Sequence, residues 1–305
     1  MAKTGYIGVN GTARKIKSKY VGVGGVARKV KAAYVGVNGV ARQWYAAEQP
    51  REDFLTFSSP TAFSIFVASP GWNGTMEYST DKSTWAAWDG AEIAAMDNGG
   101  TYALYFSGTG NTKVTGSSAN KWTLTGSNIA CSGNIESLLD YATVATGKHP
   151  TMAVDCYSGM FYGCTSLTSA PALPATMLAY SCYNHMFDGC TGLTSAPALP
   201  ATTLTHYCYS RMFYGCTGLT SAPALRATTL ADSCYNYMFY GCTKIKLSST
   251  QTGSYTQAYR IPTSGTGTTT YDALTDMFTA TGGTFTGTPE INTTYYLDAS
   301  NSIVS

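Results

Sequence analysis

Residues 160–185 read MFYGCTSLTSAPALPATMLAYSCYNH, and residues 186–211 read MFDGCTGLTSAPALPATTLTHYCYSR. A third copy begins at Met212 and a fourth at Met238, which breaks off at Cys242-Thr243-Lys244-Ile245, so the period is 26 residues. Repeats of this length mark stacked units, because one unit cannot bury its apolar face alone. Eight of the nine cysteines fall on the period, at 156 and 164, 182 and 190, 208 and 216, 234 and 242. Recurrence of this kind predicts a solenoid in which each coil sets the same residue on the same interior rung.

Within a coil, Cys-Tyr-x-x-Met-Phe-x-Gly-Cys predicts two turns of helix ended by Gly189, Gly215 or Gly241. Thr-x-Leu-Thr-Ser-Ala predicts a short strand, and Pro-Ala-Leu-Pro a closing turn, since prolines so close together preclude a longer helix or central strand. These α/β coils are expected over 148–247. Residues 248–305 then form a degenerate C-terminal cap, in which Leu274-Thr275-Asp276-Met277-Phe278 echoes the repeat core without its cysteines.

Upstream, residues 48–147 contain the strand-like pieces Phe54–Phe57, Phe63–Ala68, Thr75–Tyr78, Thr101–Phe106 and Lys121–Thr125, separated by Gly- and Asn-rich turns. Short strands so spaced predict an antiparallel β-sandwich, left through a brief helical link over Ile135–Tyr141. Residues 1–47 carry a second period, of 14 residues: YIGVNGTARKIKSK, YVGVGGVARKVKAA and YVGVNGVARQWYAA. Asn-Gly or Gly-Gly between alternating apolar residues predicts three successive hairpins. A hairpin this small needs a neighbour, another copy or a partner surface to be stable. The expected fold is thus multidomain and β-rich.

The 305 residues, 44% hydrophobic and 12% charged, suffice for a buried core. The net charge of +2 conceals an uneven distribution: residues 1–47 hold nine Lys/Arg and no acid, and the remainder carries −7. The opening residues lack the apolar run of a secretory signal, and no stretch approaches the 18 apolar residues of a membrane span. A reducing cytoplasm as the site of folding is the resulting expectation.

The 26-residue unit resembles the BspA-like leucine-rich repeats of surface proteins from gut and oral bacteria and their phages. The core Met160-Phe161-Tyr162-Gly163-Cys164-Thr165-Ser166-Leu167 carries the resemblance. Tyr78-Ser79-Thr80-Asp81, Trp85-Ala86-Ala87-Trp88 and Ser132–Leu139 are similar to the domain that often precedes such repeats. The 14-residue arm is similar to Val-Gly-Val-Asn-Gly-Val-Ala-Arg repeats of phage tail and virion proteins. These resemblances imply a phage virion structural protein, of fibre or decoration type, assembled in the bacterial cytoplasm and released by lysis. They imply a leucine-rich-repeat solenoid displayed to a host-cell or mucosal surface, and, by analogy with phage fibres, a homo-oligomer such as a trimer. A bacterial surface adhesin is the alternative, and a carbohydrate-binding or carbohydrate-active protein the second.

The chemistry-bearing residues give no catalytic constellation, and no cofactor is expected. Cys156 and Cys164 stand about 12 Å apart if helical, too far to share a metal. The cysteines are therefore expected as buried thiols, with disulfides and metal ligation as the alternatives. His149, His185 and His206 are isolated along the chain, which suits surface histidines. Trp72, Trp85, Trp88 and Trp122 suit core packing, with a sugar platform as the alternative. In the arm, Arg14, Lys15, Lys17, Arg28, Lys29, Lys31, Arg42 and Trp44 are candidates for docking on other virion proteins or for self-assembly. Nucleic acid is disfavoured for want of any known motif.

Comparing the repeats with each other separates fixed from changing positions. Cys, Met, Phe, Gly and Leu stay fixed; Tyr162, Tyr180, His185, Asp188, His206, Arg211, Tyr214, Asp232, Tyr237 and Tyr240 occupy positions that change. A rigid coil varying only its outward side chains suits recognition of a surface protein or glycan, against the alternative of drift on an idle surface.

Overall fold

The computed structural model describes residues 53–264 and 270–305, and, before them, the backbone of six strands between Tyr6 and Ala46. The chain divides into two units, 1–51 and 52–305.

In the first unit, Tyr6–Val9 pairs antiparallel with Thr12–Lys15, Tyr20–Val23 with Val26–Lys29, and Ala32–Val37 with Val40–Ala46. Val9 stands opposite Thr12, Val23 opposite Val26 and Val37 opposite Val40, so two residues separate the strands each time. The third pair slips its register between Ala33 and Tyr34. Lys17 and Lys31 lie outside the described residues, as do the side chains of Arg14, Lys15, Arg28, Lys29, Arg42 and Trp44.

The second unit begins with a seven-stranded sheet. Its path runs Ala86–Ala87, Thr75–Ser79, Tyr102–Thr109, Leu55–Ser59, Ile129–Ser132, Leu167–Ser169, with Met96–Asp97 also paired to Tyr102–Thr109. All pairs are antiparallel except the last, where Ile129–Ser132 and Leu167–Ser169 run parallel. That parallel pair carries the sheet into the repeats. A three-stranded sheet of Ile93–Ala94, Ser64–Phe66 and Thr123–Thr125 contributes to the same core.

Alternation along the strands divides the faces. Phe57, Leu104 and Phe106 join Trp88 and Trp122 in the main core, while Phe54, Ala103 and Tyr105 form a small cluster with Trp85. Trp88 and Trp122 are buried, and Trp72, half-buried, stacks on Trp88 at 5.3 Å.

Residues 155–242 wind into coils whose equivalent residues lie side by side. Tyr157, Tyr183, Tyr209 and Tyr235 form one column of stacked rings, with centroids 5.6 to 5.8 Å apart. Phe161, Phe187, Phe213, Phe239 and Phe278 form another, spaced 5.5 to 5.7 Å. Each fully buried ring of this kind is worth about 1.5–3 kcal/mol over exposure. All of them are buried, together with the methionines between them and the eight cysteines of the period.

The helix expected over Cys-Tyr-x-x-Met-Phe-x-Gly-Cys is not formed; this is a correction to the α/β description. The segment is three consecutive turns. Met186 N donates to Tyr183 O and Cys190 N to Phe187 O within the coil, while Tyr183 N donates to Cys208 O and Phe187 N to Met212 O on the next. Alternate N–H groups thus leave the coil, which an α-helix does not allow because it uses each internally. The turns reverse at left-handed residues every four positions: Ser181, His185 and Gly189; Tyr207, Arg211 and Gly215; Ser233, Tyr237 and Gly241. Among the described residues the one α-helix is Ser137–Val144, interrupted at Asp140.

Both ends of the stack are covered. Val114 N and Trp122 N donate to Cys156 O and Met160 O, so the loop preceding Thr123–Thr125 serves as the first rung. At the far end Tyr235, Tyr237, Phe239 and Gly241 donate to Ala273, Thr275, Met277 and Thr279, which form a further set of turns. Between them Tyr255–Arg260 adds to a four-stranded sheet with Thr294–Asp298, Lys246–Ser248 and Gly282–Gly283.

Candidate functional site

Coils one to four begin at Asp155, Ser181, Tyr207 and Ser233, which hold the first of three left-handed positions, and the last of the three is glycine in every coil, at 163, 189, 215 and 241. The middle one carries His185, Arg211 and Tyr237, with φ of 55°, 52° and 53°. An L-residue there costs about 1–2 kcal/mol relative to the right-handed region. Glycine would avoid the strain, and Gly159 does occupy the equivalent place in coil one, where a Cβ would lie 2.7 Å from Ser118 Cα. Elsewhere the sequence keeps bulky side chains where the backbone favours none. Strain held at particular positions in this way is characteristic of sites selected for their side chains.

These side chains share the turn edge with the row Tyr162, Asp188, Tyr214 and Tyr240. Arg211 lies 4.8 Å from the Tyr237 ring centroid and 5.6 Å from that of Tyr214. Tyr214 stacks on Tyr240 at 4.8 Å with the planes 2° apart, and Tyr237 approaches Tyr240 at 5.8 Å. Arg211, Tyr214, Tyr237 and Tyr240 are half-buried. Asp276 raises the pKa of the Tyr237 phenol, by its charge and by accepting the hydroxyl's hydrogen bond.

On coils one and two, Tyr162 is exposed, with Lys121 5.6 Å from its ring and His185 6.2 Å away. His185 Nδ1 is 2.7 Å from Asp188 Oδ2. That pairing accounts for Asp188 being buried although the changing positions were expected to face outward. A separate cluster gathers Tyr180, His206 and Asp232: Tyr180 stacks on His206 at 6.2 Å, and His206 Nδ1 lies 3.5 Å from Asp232 Oδ2. Tyr207, which the repeat comparison did not single out as a ligand residue, joins it 5.7 Å from Tyr180.

All three histidines therefore adjoin a carboxylate, since His149 Nδ1 lies 2.7 Å from Glu136 Oε2. The partners of His149 and His206 are 13 and 26 residues away, which local sequence does not reveal, whereas Asp188 follows His185 by three. The four-residue spacing that ends on glycine was the available signal for the turns. Glu136 is buried at the head of the stack, and burial raises its pKa against the opposing pull of His149.

The cysteines offer no nucleophile. Burial pushes the thiols of Cys164, Cys182 and Cys234 up to about 12, whereas a reactive thiolate needs a lowered value. Cys190, Cys216 and Cys242 donate instead to the carbonyls of Phe161, Phe187 and Phe213 at 3.0 Å. Among the described residues no group of His, Cys, Asp and Glu is placed to hold a metal ion, and no helix is long and apolar enough to cross a membrane. A hollow of about 390 Å³ beside Phe66, Pro70, Asp89 and Glu92 is broadly open to solvent. The turn edge thus offers stacked phenols, which can cover apolar faces, beside a guanidinium and imidazoles, which can meet polar groups. No protein-family model, no curated protein and no solved structure matches the chain.

Proposed function

We propose that the chain is a non-enzymatic phage virion structural protein, of fibre or decoration type, whose BspA-like leucine-rich repeats bind a host-cell or mucosal surface. The N-terminal hairpin arm attaches it to other virion proteins and promotes self-assembly. The observation that carries this reading is the row His185, Arg211, Tyr237, bulky side chains retained at left-handed positions beside stacked tyrosines. Each of these side chains is kept there at a conformational cost that glycine would not bear. The basic arm, with nine Lys/Arg and no acid, suits docking on an acidic protein surface.

The test has two parts. Mass spectrometry of purified particles is expected to find the chain in the virion, and deletion of residues 1–47 is expected to leave the remainder folded but missing from particles. Tyr180→Ala, Tyr214→Ala and Tyr240→Ala are expected to weaken retention on host cells. Recovery of the protein from cell walls and not from particles would favour the bacterial adhesin. Undiminished retention in all three variants would refute the turn edge as the binding face.

A further inference from the structure

Arg211 differs from the other basic groups of the coils in how it is held. Two tyrosine rings flank its guanidinium, and among the described residues no carboxylate pairs with it. A guanidinium held by ring contacts keeps its N–H fork free for a bidentate acceptor. Beside it Tyr214 and Tyr240 stack, a surface suited to the C–H face of a pyranose ring.

The charge pattern agrees. Residues 148–247 hold five Lys/Arg against three acids, whereas 53–147 hold three against eight and 248–305 one against four. The coils thus carry a small positive charge between two acidic segments. The acids of the last turns are engaged locally: Asp276 accepts from Tyr237 and, at 2.7 Å, from Thr279, and Asp272 from Thr275 at 3.1 Å.

Building on the turn edge as a recognition face, we propose that Arg211, Tyr214, Tyr237 and Tyr240 form a subsite for a carboxylate-bearing sugar of a surface glycan. The carboxylate meets the Arg211 fork while the ring covers the tyrosines. An inorganic anion would satisfy the charge but leave the aromatic surface wet.

Saturation-transfer NMR on the full chain tests this with two matched pairs, sialyllactose against lactose and trigalacturonate against its methyl ester. The acidic member of at least one pair is expected to bind about tenfold or more tightly than its neutral partner, a difference of about 1.4 kcal/mol. Added salt should weaken that preference. Arg211→Gly should abolish it without impairing the fold, glycine being at ease at a φ of 52°, and Arg211→Lys should keep part of it. Equal binding within both pairs, a preference that survives Arg211→Gly, or no binding of either acidic sugar would each overturn the subsite. Retention on host cells that needs Tyr180, Tyr214 and Tyr240 but ignores Arg211 would overturn it while leaving the recognition face intact.

Discussion

Tyr183 stacks on Tyr157 with ring centroids 5.6 Å apart and planes 3° from parallel, yet the two hydroxyls fare differently. That of Tyr157 donates to Ile135 O at 3.2 Å, whereas that of Tyr183 is buried and has no partner among the described residues. A buried hydroxyl left unpaired costs about 1–3 kcal/mol. Tyr183→Phe is therefore expected to raise stability by about 1 kcal/mol, and Tyr157→Phe to lower it by about as much. Tyr259, whose hydroxyl donates to Pro223 O at 2.9 Å, should behave like Tyr157. Urea denaturation of the three variants checks the order, and a loss at Tyr183 equal to that at Tyr157 would contradict it.

The cysteines should be inert in the native state. All nine are buried and unbridged, and desolvation holds their thiols well above the ordinary range. At pH 8, iodoacetamide is expected to leave the folded chain unmodified and to add nine carboxamidomethyl groups in denaturant. Intact-mass spectrometry reads both. Two or more fast-labelling thiols in the native protein would mean that the coils open.

The β-rich character and the identity of the buried residues were legible because the repeat repeats its environment: a residue such as Phe187 recurs as Phe213 and must find the same surroundings. The backbone between them was not. Apolar residues at Tyr183, Met186, Phe187 and Cys190 satisfy a helical spacing, and a chain of four-residue turns presents the same spacing to the core. What separates the two is positive φ at positions such as Ser181 and Arg211, residue types that carry no left-handed signal of their own. The recognition candidates were found by comparing copies, but Asp188 shows the limit of that comparison. Its pairing with His185 draws it inward, and pairwise attraction is invisible to a position-by-position reading.

Glu136 gives stability a definite pH dependence. Burial raises its pKa above the ordinary glutamate value in the folded state, so there the folded chain holds the proton more tightly than the unfolded chain. Its contribution is greatest below the ordinary value, falls as pH rises from about 4.5 through the raised value, and is level beyond it. Glu136→Gln is expected to remove this decline and to lose the contact with His149 as well. Chemical denaturation from pH 4 to 8 measures the difference between parent and variant. A parent that gains stability over the variant as pH rises would show that Glu136 is held ionised by His149 and not destabilised by burial.

At the left-handed positions, adding a side chain and removing one are not mirror images. Gly215 has φ of 67°, and a Cβ added there would approach nothing closer than Gly189 Cα at 3.9 Å. Sterically the site has room, so the cost of Gly215→Ala is conformational, about 1–2 kcal/mol. At Arg211 the backbone is nearly the same, with φ of 52°, but the resident side chain already bears that cost. Arg211→Gly relieves it, while losing two cation–π contacts of about 0.5–1 kcal/mol each and adding freedom to the unfolded chain. The terms nearly cancel, so Arg211→Gly should match the parent within about 1 kcal/mol although it deletes a long side chain. Thermal unfolding of the two variants side by side reads this directly. If Arg211→Gly were as damaging as Gly215→Ala, Arg211 would be a structural strut, and its retention at a left-handed position would need no ligand to explain it.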